Sequence, residues 1–212
     1  MKKLIILIPF LLQAGEIPDN INKIFDAKWN KCDQVIKRTR YNVCYSYKDK
    51  LPLYVVYQVK GNDNGCKNPR PKRFKYDNTI PNKYRAKDQF YKRTGYDRGH
   101  LMPNAVINCD IKAQKETFIL SNVAPQNPKM NRSTWKNLET YVRELSKKYD
   151  VWVQTGIIPG IESKKMKGQI TYPMFFYKKL FYNNQYRIFV VPNENVKPKK
   201  YEDFEYFNTV NN

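Results

Sequence analysis

From Asn131 onward the apolar residues Trp135, Leu138, Val142, Leu145 and Tyr149 recur at steps of three and four. That spacing draws one stripe along a helix and turns it toward a core. Nearer the start, the apolar positions Ile21, Ile24, Phe25, Trp29, Val35 and Ile36 predict a short helix and a turn over residues 21–36. Tyr41 to Tyr47 and Leu53 to Val59 are rich in Tyr and Val and read as two strands, with Lys48-Asp49-Lys50-Leu51-Pro52 as the turn between them. Gly61 to Asn82 carries Gly, Pro and Asn throughout, which predicts a long loop, and ordered loops of that length are uncommon without a task. After Thr94 to His100 comes a further loop, then Thr117-Phe118-Ile119-Leu120 as a short strand, then the striped helix. Val151 to Val153, Phe175 to Tyr177 and Tyr186 to Val191 predict the remaining strands. A strand-rich first half, a strand–loop–strand–helix centre and strands again imply an α+β fold built on a largely antiparallel sheet flanked by helices.

Composition and punctuation refine that picture. Met1-Lys2-Lys3 and the apolar run Leu4 to Leu12 have the form of a secretory signal over residues 1–14, with Ala14 as its last residue. The run is shorter than the roughly 20 residues a membrane-spanning helix needs, and no other stretch approaches that length. The expectation is therefore a single exported domain over residues 15–212, periplasmic or extracellular, with no stable membrane association after cleavage. Its 17 Tyr and 11 Phe supply the apolar bulk of a folded interior, and the sequence leaves monomer and homodimer open. Cys32, Cys44, Cys66 and Cys109 are an even set in a compartment that permits disulfides, and three pairings are possible. Cys32 with Cys44 is favoured because it closes a short loop and leaves Cys66 and Cys109 as partners. A structural zinc site is disfavoured, since no pair has the C-x₂-C spacing.

Charge then narrows the partner. With 39 Lys and Arg against 19 Asp and Glu, the net charge is +20, an excess that draws polyanions: nucleic acid, anionic lipid or acidic polysaccharide. Aromatic residues lie among the cations in Arg70-Pro71-Lys72-Arg73-Phe74-Lys75-Tyr76 and in Lys83-Tyr84-Arg85. Such a surface both neutralises phosphate and stacks bases, which favours nucleic acid.

The chain has one histidine, in Asp97-Arg98-Gly99-His100. It is the one side chain whose ordinary pKa lies near neutral pH, so it is the candidate base for hydrolysis. A metal could not be held by a histidine cluster; its ligands would be oxygens from side chains, water and phosphate, which suits Mg²⁺, with Mn²⁺ or another divalent cation as a replacement. A lone His is by itself more often structural.

Its neighbours change that reading. Asp97-Arg98-Gly99-His100-x-x-Pro103, Leu120-Ser121-Asn122-x-x-Pro125-Gln126 and Asn131-x-x-x-Trp135-x-x-Leu138-Glu139, in this order, resemble the DNA/RNA non-specific endonucleases of the ββα-metal, or His-Me finger, superfamily. The basic loop upstream and Thr155-Gly156 after a strand are similar too. The resemblance implies a finger over about residues 95–148, with DNA and RNA as substrates. It implies His100 as general base, Asn131 at the start of the finger helix as the one direct protein ligand to Mg²⁺, and Glu139 as the carboxylate that holds water on the metal. Asn122 matches an active-site amide, and Arg98 an arginine that contacts phosphate or positions the loop. A further upstream arginine should stabilise the transition state, and the spacing does not choose between Arg70 and Arg73. On a straight helix Asn131 and Glu139 lie roughly 12 Å apart along the axis and about 80° apart in rotation, which suits a role for Glu139 one water away from the ion. Read without the resemblance, Asn131 is a helix N-cap, Glu139 an i, i+4 partner of Arg143, and Trp135 and Leu138 core residues. The competing function is an exported DNA-binding protein that captures nucleic acid without cutting it.

Overall fold

The computed structural model describes residues 17–160, 164–196 and 200–206, so the leader expected over residues 1–14 lies outside the described residues. The chain opens with helix α1 (Asp19–Phe25) and enters a sheet through β1 (Gln34–Lys37), β2 (Tyr41–Ser46) and β3 (Leu51–Val59). The helix-and-turn reading of residues 21–36 is thus half corrected. Asp26 takes a left-handed conformation that ends α1, and Val35 and Ile36 belong to β1. Val35 is 40% exposed while Ile36 is buried and lies opposite Val43. Alternation of two β-branched neighbours is a strand period, not a helical one. Leu51 and Pro52, expected in a turn, already pair with Ser46 and Tyr45.

The long loop follows β3 and ends at β4 (Asp97–His100); α2 (Ile111–Glu116), β5 (Val123–Gln126), α3 (Pro128–Met130) and α4 (Lys136–Ser146) come next. The later strands are β6 (Val151–Pro159), the short pair β7 (Lys165–Met166) and β8 (Ile170–Thr171), β9 (Pro173–Tyr182) and β10 (Gln185–Pro192). The main sheet has the order β1-β2-β3-β6-β9-β10, with every neighbouring pair antiparallel. Thr155-Gly156 lies inside β6 rather than after it.

Each face of the sheet has its own cover. On one, the finger helix packs Trp135, Leu138 and Val142 into a core shared with Val55, Val153, Phe176 and Leu180. Trp135 and Leu138 are wholly buried, and the Trp135 ring meets Phe176 edge-on with centroids 5.6 Å apart. Each such side chain contributes about 1.5–3 kcal/mol by leaving water. Tyr149, expected at the foot of the stripe, lies beyond α4 and is exposed. On the other face, Ile21 and Phe25 of α1 close over Tyr54 and Val56.

The finger is the ribbon β4–β5 followed by α3, a π-helical turn at Asn131–Trp135, and α4. The strand expected at Thr117–Leu120 is not formed; the second strand of the ribbon is β5. Thr117 closes the end of α2, its hydroxyl donating to the Gln114 carbonyl at 2.7 Å, and Leu120–Asn122 form a 3-10 turn. Ile119 makes one isolated bridge to Lys75. Both favoured disulfides are formed, Cys32–Cys44 and Cys66–Cys109, and the second ties the basic loop to the segment that follows His100. Among the described residues no helix is long and apolar enough to cross a membrane.

Candidate active site

The Gln126 side chain of β5 lies over Gly99, so a Cβ there would stand 1.8 Å from the Gln126 Oε1 and that side chain would have to move. β4 ends at His100, whose ring packs against Phe74, with centroids 5.2 Å apart, and edge-on against Phe118 at 4.8 Å. Its Nε2 is shielded from solvent and has no hydrogen-bond partner among the described residues. Burial, and then the positive charge of Arg70, push the imidazole down from 6.5 to about 3. At neutral pH His100 is therefore uncharged, with a ring nitrogen free to take a proton.

Of the two upstream arginines, Arg70 is the one whose charge reaches His100. Its guanidinium lies 5.1 Å from the Phe118 ring that borders His100, and its charge acts on both His100 and Glu139. Arg73 instead lines a cleft of about 710 Å³ with Arg98. Arg98 shares the face of β4 with His100, since residues two apart on a strand point the same way. Its Nε approaches the Asp88 carboxylate at 2.7 Å, and the guanidinium lies near the rings of Phe74 and Tyr91.

Asn131 is not the N-cap. That position belongs to Asn127, whose side chain accepts from the N–H groups of Lys129 and Met130. Asn131 lies four residues further on, in the π turn, and its Nδ2 donates to Asp97 Oδ2 at 2.9 Å. Arg132 grips the same carboxylate through Nε at 2.9 Å and Nη2 at 2.6 Å. With Nδ2 donating to Asp97, the oxygen is the atom of the Asn131 amide left to act as a hard donor. Among the described residues no three His, Cys, Asp or Glu side chains are grouped to hold a metal. A single amide oxygen completed by water and phosphate suits Mg²⁺, which keeps several waters, and does not suit zinc.

Glu139 is partly buried, and burial raises its pKa; Lys178 opposes that most strongly, followed by Arg143 and Arg70. The Arg143 guanidinium donates to Thr140 Oγ1 at 2.7 Å while its charge still favours the Glu139 carboxylate. Lys178 is fully buried, donates to Thr155 Oγ1 at 2.6 Å and to the Tyr57 hydroxyl at 3.3 Å, and lies 4.8 Å from the Trp135 ring centroid. Burial pushes its ammonium down to about 8.

Asn122 is placed differently from the rest. Its Nδ2 donates to the carbonyls of Met102 and Thr117, each at 2.9 Å, and its Oδ1 accepts from the Met102 N–H at 2.9 Å. Those bonds fix the loop after His100 and do not aim the amide at a ligand. The structure thus sets the charge of Arg70 to act on both His100 and Glu139, anchors Asn131 to the strand bearing His100, sets Arg98 in the adjoining cleft and ties Asn122 to the loop after His100.

Sequence reading missed Asp97 as the holder of Asn131, the Phe74–Phe118 walls, and Lys178. A signal for Lys178 existed: Phe176, Lys178, Leu180 and Tyr182 alternate along β9 on its buried side.

The chain is similar to known nucleases. Human mitochondrial endonuclease G is 33% identical over 178 residues, covering 76% of this chain and 60% of the human protein. A nuclease of Nostoc sp. is 32% identical over 143 residues, covering 66% of this chain and 52% of the relative. The chain therefore spans about 60% of the length of the curated endonuclease G relatives it matches. A solved structure of the EndoG/EndoGI complex aligns with a TM-score of 0.77 at 26% identity, covering 91% of this chain and 87% of that one. The model of the DNA/RNA non-specific endonucleases matches residues 20–211, and the chain belongs to that family.

Proposed function

We propose that this chain is an exported, Mg²⁺-dependent endonuclease that hydrolyses DNA and RNA without sequence specificity, leaving 5′-phosphate and 3′-hydroxyl ends. The observation that carries it is the neutral imidazole of His100, its Nε2 unpartnered between Phe74 and Phe118 and beside Arg70.

Water is a poor nucleophile toward an anionic diester, so its proton must leave as the bond to phosphorus forms. His100 Nε2 takes that proton from a water in line with the bond to the 3′ oxygen. Charge accumulates on the phosphoryl oxygens, where the Arg70 guanidinium stabilises it. Arg98 holds a neighbouring phosphate. Asn131 Oδ1, kept in register by Asp97, and Glu139, through water, would hold Mg²⁺, which when bound supplies Lewis acidity to the phosphate and the departing oxygen. The P–O3′ bond breaks, the departing 3′ oxygen takes a proton from solvent water and leaves as an alcohol, and His100 returns its proton to solvent. The 2′-hydroxyl of ribose takes no part, which is why both nucleic acids serve.

Two disulfides support an oxidising destination, and with the apolar leader they underlie the exported reading. Digestion of plasmid and of RNA by the wild type and by His100→Ala, with Mg²⁺ or with EDTA, tests the enzyme. The variant should lose at least ~10²-fold in rate while still retarding polyanions on a gel, and EDTA should stop the wild type. Equal rates would remove His100 from the chemistry; retardation by wild type without cutting would leave only a binding protein.

A further inference from the structure

We propose that the cleft beside Phe74 seats one unpaired nucleotide next to the phosphate being cut, its base lying on Tyr76, so that single strands are bound in preference to duplex. The placement next to the cut phosphate rests on the nuclease reading above; the seat itself rests on the cleft.

The cleft encloses about 710 Å³, and Lys72, Phe74, Tyr76, Asn78, Lys92 and Arg98 line it. Phe74 is the partition between the two sites: the ring that borders His100 at 5.2 Å also lies 5.8 Å from the Arg98 guanidinium. A nucleotide in the cleft is therefore one side chain away from the base that takes the proton. Tyr76 lines the same cleft with 51% of its surface exposed. Asp88, the carboxylate of the cleft, is already compensated by Arg98 at 2.7 Å and faces Lys92 at 3.7 Å. Among the described residues Lys72 and Arg73 take part in no ion pair, so their charge is available to phosphate.

Aromatic faces set among cations are how proteins hold unpaired strands, because every base has a π-face to stack while the backbone is tracked by charge. A duplex keeps its bases inside and offers only phosphates, so it would touch the cations and leave Tyr76 idle. The two substrates thus respond differently to one substitution. Removing the ring weakens single-strand binding and spares duplex binding.

Fluorescence anisotropy with a labelled single-stranded decanucleotide and a labelled hairpin duplex of equal charge, on His100→Ala protein without divalent metal, measures this free of cleavage. Adding Tyr76→Ala should weaken single-strand binding about fivefold or more, the low end for losing one stacked base, and change hairpin binding less than about twofold. Tyr76→Phe should restore the affinity. Equal losses on both probes, or none on the single strand, would overturn the proposal. Superimposable melting curves of the variants would show that the fold is intact. A wild type that binds as described but cuts nothing would reject the nuclease reading and leave the nucleotide seat standing.

Discussion

A base must be unprotonated before its substrate arrives, and His100 meets that condition through its walls. Its imidazole is held near 3 against 6.5 in an unfolded chain. Between those values the unfolded state binds one more proton than the folded state, so stability is full above pH 6.5 and is lost as pH falls toward 3. One proton corresponds to a slope of at most about 1.4 kcal/mol per pH unit. Urea titrations of wild type and His100→Gln between pH 7 and 4 should show the wild type losing ground relative to the variant; parallel curves would mean that the ring is not held neutral by its surroundings. Asp97 acts on the other half of the site, since its carboxylate fixes which end of the Asn131 amide faces outward. Asp97→Ala should weaken Mg²⁺ binding about 10- to 100-fold in a calorimetric titration, the usual cost of losing a ligand's outer partner. Arg132→Ala keeps the Asp97–Asn131 bond and should change it little. An unchanged titration for Asp97→Ala would reduce Asp97 to a surface partner of Arg132.

The ribbon β4–β5 is the element through which these residues act together, and Gly99 is where it is least tolerant. Any side chain there collides with Gln126, and forcing atoms into a packed site costs typically 1–3 kcal/mol. Gly99→Ala should lower the melting temperature and reduce activity together, whereas a variant as stable and active as wild type would show that the Gln126 side chain swings aside freely. Much of this element was legible beforehand: Asp97 to His100 as the end of a strand, Asn131 to Glu139 on one helix, and the stripe of Trp135, Leu138 and Val142 that seats it. What was not legible is where local hydrogen bonding overrode the hydrophobic pattern. Thr117 to Leu120 has the composition of a strand, yet the Thr117 hydroxyl and the Asn122 amide bend it into turns and move pairing to Val123–Gln126. The straight helix assumed between Asn131 and Glu139 was also not legible as broken, because Asn131–Trp135 form a π turn, which is wider than an α turn and shifts the phase between them. Lys178 escaped because a charged residue in a core needs partners distant in sequence, here Thr155, Tyr57 and Glu139.

For the molecule as a whole, the question is how a loop rich in like charge stays folded against an active site. Its charges repel one another, and apart from short 3-10 turns it contains little regular structure before β4. Ion pairs anchor it at two points, Arg38 with Asp77 and Arg40 with Asp63, and the Lys75 N–H donates to the Phe118 carbonyl at 2.9 Å. The covalent anchor is Cys66–Cys109, with a sequence separation of 43, and Arg70, Phe74, Tyr76, Arg98 and His100 all lie within the segment it closes. Cys32–Cys44, with a separation of 12, encloses none of them. Loop-closure entropy assigns about 4 kcal/mol to the longer link and about 3 kcal/mol to the shorter, so removal of either should lower the urea midpoint by a similar amount. Their effects on function should diverge. Cys66→Ser with Cys109→Ser lets the cationic segment move away from the finger and should raise KM at temperatures where the fold persists; Cys32→Ser with Cys44→Ser should leave KM near the wild-type value. Equal KM for the two double variants would mean that the ion pairs and β4 alone hold the loop, and that the longer disulfide serves stability without shaping the site.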